Sequence, residues 1–356
     1  MGRYNTKRTG LGSMKKRLLL LSFLCVLPLC LLNGWWRRFP AQTAINPSSF
    51  RNITILLWHW PYGRSSSLKG DTCWDLYRIP RCRLVDQRSL FPSADVVVFH
   101  NRELALGRQK LPLDLPRPQG QRWAWMSLEA PLHNGKSHQY ANIFNMTISY
   151  RRDADVTVPY GQLLPKEAEG HLVDNVPLNK SSLACWVVSN YRKHHKRSKV
   201  YQELKAVVPV KVYGRWTKTP LSQNALLSTI SRCFFYLAFE NSISKDYITE
   251  KLWRNAYQGG AVPVVLGPLL GDYKSVAPPN SFIHVDEFAS VKDLGEYLQQ
   301  LAEDKKRYSE YFTWKHQWTV KLYKDWRERL CKICSHYNSL PQEKVYSNLE
   351  AWVNGS

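Results

Sequence analysis

Acidic residues are scarce in this chain. Its 356 residues hold 28 Asp and Glu against 50 Lys and Arg, leaving a formal net charge of +22. An excess of that size implies anionic partners: nucleic acid, an anionic membrane surface, or a phosphorylated or acidic small substrate. Cysteine is also sparse. Eight in a chain of this length exclude a small disulfide scaffold. No internal repeat and no low-complexity block is visible. Only one Cys-x-x-Cys occurs, Cys331 to Cys334, which rules out a four-thiolate zinc site built from two such pairs. Apolar residues are not lacking: 44% are hydrophobic, enough for a core, so disorder is excluded for the bulk of the chain. The length suggests an anchor plus about two compact domains. The 14 Trp and 19 Tyr offer aromatic faces of the kind that meet sugar rings or bases.

Location narrows the partner. Residues 3–17 hold Arg3, Lys7, Arg8, Lys15, Lys16 and Arg17 and no acid, and residues 18–32 then run almost wholly apolar. Counted through Trp36 the run is 19 residues, close to a bilayer span, with Trp35–Trp36 at the interfacial belt. The basic excess before the run predicts a cytoplasmic N-terminus and a lumenal body. A cleaved signal peptide is the competing reading, but no small-x-small cleavage site follows and the basic lead-in is long. Lumenal placement gives meaning to four Asn-x-Ser/Thr sequons, at Asn52, Asn145, Asn179 and Asn354. It also makes disulfides the expected state of the six cysteines outside the span, Cys73, Cys82, Cys185, Cys233, Cys331 and Cys334, with 15 possible connectivities. A nucleic-acid partner fits this placement poorly, and the basic residues form no single RNA-binding module.

The predicted organisation is a cytoplasmic tail (1–17), a transmembrane signal anchor (18–36), a stem (37–50), a first domain (51–165), a linker or loop (166–180), a second domain (181–320) and a C-terminal segment returning to the first domain (321–356). Short apolar runs at 53–58, 94–99 and 122–126 have the pattern of buried strands. In the second half, 183–188, 207–213, 233–239, 261–266 and 281–285 read as strands, and 196–205, 246–257, 290–301 and 305–329 as helices. Alternation of this kind argues for parallel sheets flanked by helices, here two Rossmann-like α/β domains facing across a cleft.

The most informative stretch is 235–268, FYLAFENSISKDYITEKLWRNAYQGGAVPVVLGP. Glu240, Asn241 and Ser242 follow a strand, where open α/β sheets bind ligands. Asp246 has the chemistry of an N-cap. Tyr247, Glu250, Lys251 and Arg254 share one face if 246–257 is helical, although Glu250 and Arg254 could equally form an ordinary exposed pair. A helix opening there offers N–H groups to phosphate, with Lys251 as a point charge and Glu250 as an acceptor for ribose hydroxyls.

This block closely resembles the signature of the α-1,3-fucosyltransferases. ADVVVFHNRE, RWAWMSLEAP, FNMTISYRRDADVTVPYG and CWVVSN resemble the family in the same order, from about residue 53 to the C-terminus. YITEKLWRNA, VPVVLGP, FIHVDEF, DWRERLCKIC and VYSNLEAW look most like the branch that makes sialyl Lewis x. The resemblance implies a GT-B fold and a type II protein of the Golgi membrane. It implies transfer of L-fucose, with inversion, from GDP-β-L-fucose to the 3-hydroxyl of GlcNAc in N-acetyllactosamine, sialylated or neutral, on glycoproteins and glycolipids.

By the same resemblance Glu129 is the catalytic carboxylate. Arg197 and Lys251 are phosphate-binding, and Tyr160, Ser189, Asn190, Tyr213, Gly214, Tyr236, Asn241, Tyr247 and Glu250 are on the donor side. His100 and Arg102 match a loop that selects the acceptor linkage, and Arg102 is the residue of the α-1,3 type. Asn101 departs from the second His usual in that loop. The resemblance further implies a Cys185–Cys233 bridge and pairing of Cys73 and Cys82 with Cys331 and Cys334, with local Cys73–Cys82 and Cys331–Cys334 bridges as the alternative. No metal or cofactor is expected, since Arg and Lys can hold the diphosphate and the donor half has no Asp-x-Asp between strand and loop; a divalent cation would at most stimulate. A lumenal glycan-binding protein without catalysis is the alternative function.

Overall fold

Strand residues in the first half alternate between two cores. Ile55, Leu57, Val96, Val98, Ala124, Met126 and Ile148 pack on one face. Leu56, Val97, Phe99, Trp123 and Trp125 pack on the other. Burial on both faces is why these strands read as unbroken apolar runs. The computed structural model describes residues 51–166 and 179–355. The chain divides into two units, Met1–Phe50 and Arg51–Ser356, and every element named below belongs to the second. The expected tail, span and stem lie outside the described residues, as does most of the expected linker. Among the described residues no helix is long and apolar enough to cross a membrane.

The first sheet holds β1 (Ile53–Leu57), β2 (Cys82–Val85), β3 (Val96–His100), β4 (Arg122–Ser127), β5 (Met146–Ser149) and β6 (Val156–Thr157), all parallel, in the order β2-β1-β3-β4-β5-β6. β7 (Gly161–Pro165) leaves this sheet. The second sheet holds β8 (Ser182–Val187), β9 (Val210–Tyr213), β10 (Cys233–Phe239), β11 (Val262–Leu266) and β12 (Ile283–His284), parallel, in the order β12-β11-β10-β8-β9. In each sheet the strand order reverses at one place, between β1 and β3 and between β8 and β10. Crevices at the carboxyl ends of such strands are where open α/β sheets bind ligands.

Two helix expectations are corrected. Residues 305–329 are not one helix. They form a helix (Lys305–Glu310), a 3-10 turn (Thr313–His316), strand β13 (Trp318–Leu322) and the start of a helix at Trp326–His336. β13 pairs antiparallel with β7, and Trp318, Val320 and Leu322, two apart, lean on a core of the second sheet that holds Tyr236, Ala238 and Val265. That period-two pattern outweighed the charged, helix-like surroundings. Residues 246–257 likewise do not start a helix at Asp246. Asp246 has φ of +61°, and helical turns begin only at the π-helical segment Lys251–Gln258. Its carboxylate caps nothing; it accepts from the backbone N–H of Arg152 at 3.0 Å and from Arg152 Nε at 2.6 Å.

The chain end returns to the first sheet. Leu330 and Ile333 of the helix Trp326–His336 are buried in its core. Disulfides Cys73–Cys331 and Cys82–Cys334 fasten this helix, with Cα separations of 5.5 and 5.7 Å. A third, Cys185–Cys233, joins β8 to β10. The local bridges left open by the sequence are thereby excluded. The sulfurs of Cys73, Cys82 and Cys331 crowd within 4.8 Å of one another because two bridges lie side by side, so they offer no free thiolate to a metal.

Candidate active site

β4 runs into Leu128, which is buried, and Glu129, whose side chain keeps 23% of its surface exposed. Pro131 then opens a 3-10 turn, Pro131–His133. Three polar residues fix this corner. Ser127 Oγ accepts from the Glu129 N–H at 3.2 Å and donates to Asn134 Oδ1 at 2.6 Å. Asn101 donates to the Asn134 carbonyl at 2.9 Å and accepts from Trp125 Nε1 at 3.0 Å. The residue that departs from the family pattern is therefore a buried brace beneath the Glu129 loop.

The carboxylate of Glu129 is held from the neighbouring strand ends. The hydroxyl of Tyr62, in the turn Pro61–Gly63 after β1, donates to its Oε1 at 2.8 Å. Arg102, after β3, brings its guanidinium to 3.8 Å from the same oxygen. His100 is buried and bonded through Nδ1 to Glu103, which supports the loop. Glu103 is buried as well. Burial raises its pKa, but hydrogen bonding to His100 and to the Tyr62 N–H outweighs this and leaves it below the ordinary carboxylate value.

The second sheet's edge has the opposite chemistry. Ser189 and Asn190 are exposed at the end of β8, and the helix Lys196–Leu204 follows without a side-chain cap. Arg197, in its first turn, is 5% exposed. It donates to the Asn190 carbonyl, while its Nε has no partner. Burial pulls its pKa below the ordinary arginine value, against the raising influence of Glu240. His195 Nδ1, Ser198 Oγ, Asn241 Oδ1 and Ser242 Oγ are also buried without partners. Nearby, Tyr191 and Trp216 stack with centroids 3.8 Å apart. Gly214, with φ of +120°, lets β9 pass Val188 where a Cβ would meet a carbonyl oxygen at 2.1 Å.

Several expected donor residues are already occupied within the fold. Lys251 lies 2.9 Å from Glu240 and 3.3 Å from Glu250. Burial pulls its pKa down, but the two carboxylates win and raise it. It is therefore a charged group, partly neutralised, and not a bare point charge. Glu240 also accepts from the Thr249 N–H and hydroxyl, both at 2.8 Å, tying β10 to the π-helical segment. Glu250 pairs with Lys251, while Arg254 turns to Asn255 and Gln223, so the pair four apart does not form. Tyr236 is fully buried in the core of the second sheet, its hydroxyl accepting from Asn255 at 2.9 Å. Tyr213 is partly buried against the same core.

The two edges meet. Asn241 reaches His133 Nε2 at 3.1 Å. Tyr247 packs against the first core and lies edge-on to Tyr150, with ring centroids 5.0 Å apart. Tyr160 donates to the Leu128 carbonyl at 2.6 Å. Burial raises the pKa of both Tyr160 and Tyr247 far above the ordinary tyrosine value, and the charges of Glu129 and Glu250 add to it. Carboxylates from both edges thus act on the same two hydroxyls. Of the sequon asparagines, Asn52, Asn179 and Asn354 are exposed. Asn145 is half-buried, its amide donating to the Lys344 carbonyl and accepting from the Trp123 N–H. Tyr62, His133 and the orphan at His195 escaped the sequence reading, since only their partners across the fold give them a role.

Residues 51–161 match the family model described as fucosyltransferase, N-terminal, and residues 177–352 the one described as glycosyltransferase family 10 (fucosyltransferase), C-terminal. The chain is 46% identical to alpha-(1,3)-fucosyltransferase 7 of Mus musculus over 89% of its own length and 79% of that protein. It is 41% identical to 4-galactosyl-N-acetylglucosaminide 3-alpha-L-fucosyltransferase 9 of Bos taurus, over 85% of its length and 82% of that protein. A crystal structure of an alpha1,3-fucosyltransferase with GDP-fucose superposes with a TM-score of 0.55 at 18% identity, covering 85% of this chain and 95% of that one, which shows a shared fold.

Proposed function

The chain belongs to the glycosyltransferase family 10 fucosyltransferases, and from that premise we propose that it is an α-1,3-fucosyltransferase using GDP-β-L-fucose. Its acceptor is the 3-hydroxyl of GlcNAc in N-acetyllactosamine, with sialylated chains preferred. Its place is the Golgi membrane, anchored by residues 18–36 with the catalytic body lumenal. The observation that carries the reading is the pairing of edges: one carboxylate, Glu129, braced and partly open at one switch point, and the buried Arg197 guanidinium with unpartnered polar atoms at the other.

The chemistry follows from that pairing. Glu129 takes the proton of the acceptor hydroxyl as its oxygen attacks the anomeric carbon of fucose. The bond from that carbon to the β-phosphate oxygen breaks on the far side, so a β-linked donor gives an α-linked product. GDP departs carrying the developing charge. Arg197, Lys251 and the free N–H groups opening the helix Lys196–Leu204 stabilise that charge. The overall positive charge favours an acceptor with a sialate carboxylate. Because these cations do the electrostatic work, chelation with EDTA is expected to leave turnover intact.

The test is turnover. The full-length protein in detergent, given GDP-fucose with sialylated or neutral N-acetyllactosamine, is expected to form the α-1,3-fucosylated product, faster on the sialylated acceptor. Product from neither acceptor would leave only a glycan-binding role.

A further inference from the structure

We propose that Tyr62 is a positioning residue for the base: it pins one carboxylate oxygen of Glu129 and leaves the other for the acceptor hydroxyl. The inference rests on Glu129 being the base. Tyr62 donates to Oε1 at 2.8 Å and Arg102 approaches the same atom at 3.8 Å. Among the described residues no donor is bonded to Oε2. A carboxylate held by one oxygen cannot spin about its last torsion without losing that bond, so the free oxygen keeps a fixed direction.

Tyr62 is itself fixed in place. Its φ of +56° lies in the left-handed region, which a bulky residue enters only when its surroundings demand it. The demand is visible. Its N–H donates to Glu103 Oε1 at 2.8 Å, and Glu103 is buried against His100 and 3.8 Å from His59. The Arg102 guanidinium lies over its ring at 5.3 Å, and Trp326 of the returning C-terminal helix packs beside it at 6.2 Å. Burial and the Glu129 charge raise the Tyr62 pKa, so the hydroxyl remains a donor whenever Glu129 is ionised. Arg102, Glu103, His100, Tyr160, Tyr247 and Arg329 are the other charged or titratable groups that face Glu129 or Tyr62.

Tyr62→Phe removes only the hydroxyl from a residue that is 43% exposed, so the fold should survive. We expect kcat to fall about 10-fold, the weight of one hydrogen bond to a charged group, with the KM for GDP-fucose within about twofold of wild type. The acidic limb of the kcat/KM profile should move to higher pH, because a donor to a carboxylate favours its charged form. In a Glu129→Gln background the same change should cost nothing further. Wild-type kcat and pH profile in Tyr62→Phe, beside an inactive Glu129→Gln, would overturn the positioning role and leave the base standing. A lower kcat with an unmoved acidic limb would also overturn it, by reducing Tyr62 to packing. An active Glu129→Gln would remove the base and the inference together.

Discussion

The two switch-point edges differ in how their polar groups are spent. Around Glu129, Ser127, Asn134, Asn101, Tyr62 and Glu103 are held by bonds among themselves and to Glu129, leaving one carboxylate oxygen free and, at the end of β1, Trp58 Nε1 and His59 Nδ1 unpaired. Around Arg197, His195, Ser198, Asn241 and Ser242 keep buried polar atoms without partners. A buried unpaired polar group costs about 1–3 kcal/mol. Several in one place are hard to keep unless a ligand relieves them, and the Arg197 guanidinium and Ser198 hydroxyl in the first turn of a helix suit an anion. On the proposed reading, the edge that would move a proton is largely braced beforehand, while the edge that would hold a leaving group keeps polar atoms unpaired.

The disulfides break that comparison most forcefully. Cys73–Cys331 and Cys82–Cys334 span 258 and 252 residues, and Cys185–Cys233 spans 48. By loop entropy the 48-residue loop contributes about 4 kcal/mol and the first of the two long ones closed about 5–6 kcal/mol, with less from the second, whose ends are then already close. Replacing Cys331 and Cys334 with Ala frees the helix under Trp326 and should loosen the Tyr62–Glu129 corner, lowering both the unfolding midpoint and kcat. Replacing Cys185 and Cys233 should lower stability with less effect on kcat. Denaturant melts beside turnover would show whether the first edge depends on the returning chain end.

Arg197→Ala comes next. Loss of a buried charged donor should weaken GDP binding by about 3 kcal/mol, roughly 100-fold, read by calorimetry. Arg102→Ala, on the other edge, should leave GDP affinity unchanged. Equal losses would erase the division of labour.

The smallest effect concerns acid. Burial raises the pKa of Glu103, but the hydrogen bonds and charge of His100 together with the Tyr62 N–H outweigh it and leave the group below its ordinary value of 4.5. Its contribution to stability is thus present above about pH 4.5 and is lost as pH falls through the lowered value. Glu103→Gln should flatten the drop in melting temperature below about pH 4.5, by less than about 1 kcal/mol of stability. An unchanged slope would mean that the network under Tyr62 does not titrate as a unit.

Much of this plan is legible in the sequence where burial is two-sided. β10 falls on the apolar run 233–239, and β3, β4, β8 and β11 lie within a residue or two of theirs, because apolar runs of that length have few other uses. β2, β5 and β6 are short and β13 is half-exposed, so pattern alone does not find them. Asp246 looks like a cap by chemistry, but its charge is claimed by Arg152, 94 residues away. Tyr62 likewise finds Glu129 across 67 residues, a contact that no local spacing records. Glu129 is singled out as a base by family likeness alone, whereas its position just after β4 follows from the apolar run before it.

The central claim is that the base and the donor site are separate edges meeting over one substrate. It is tested most directly by measuring GDP-fucose affinity and turnover on the same Glu129→Gln protein. We predict donor affinity within about twofold of wild type and turnover reduced at least about 100-fold, the low end for loss of a general base. Turnover near the wild-type rate, or donor binding lost along with turnover, would contradict it.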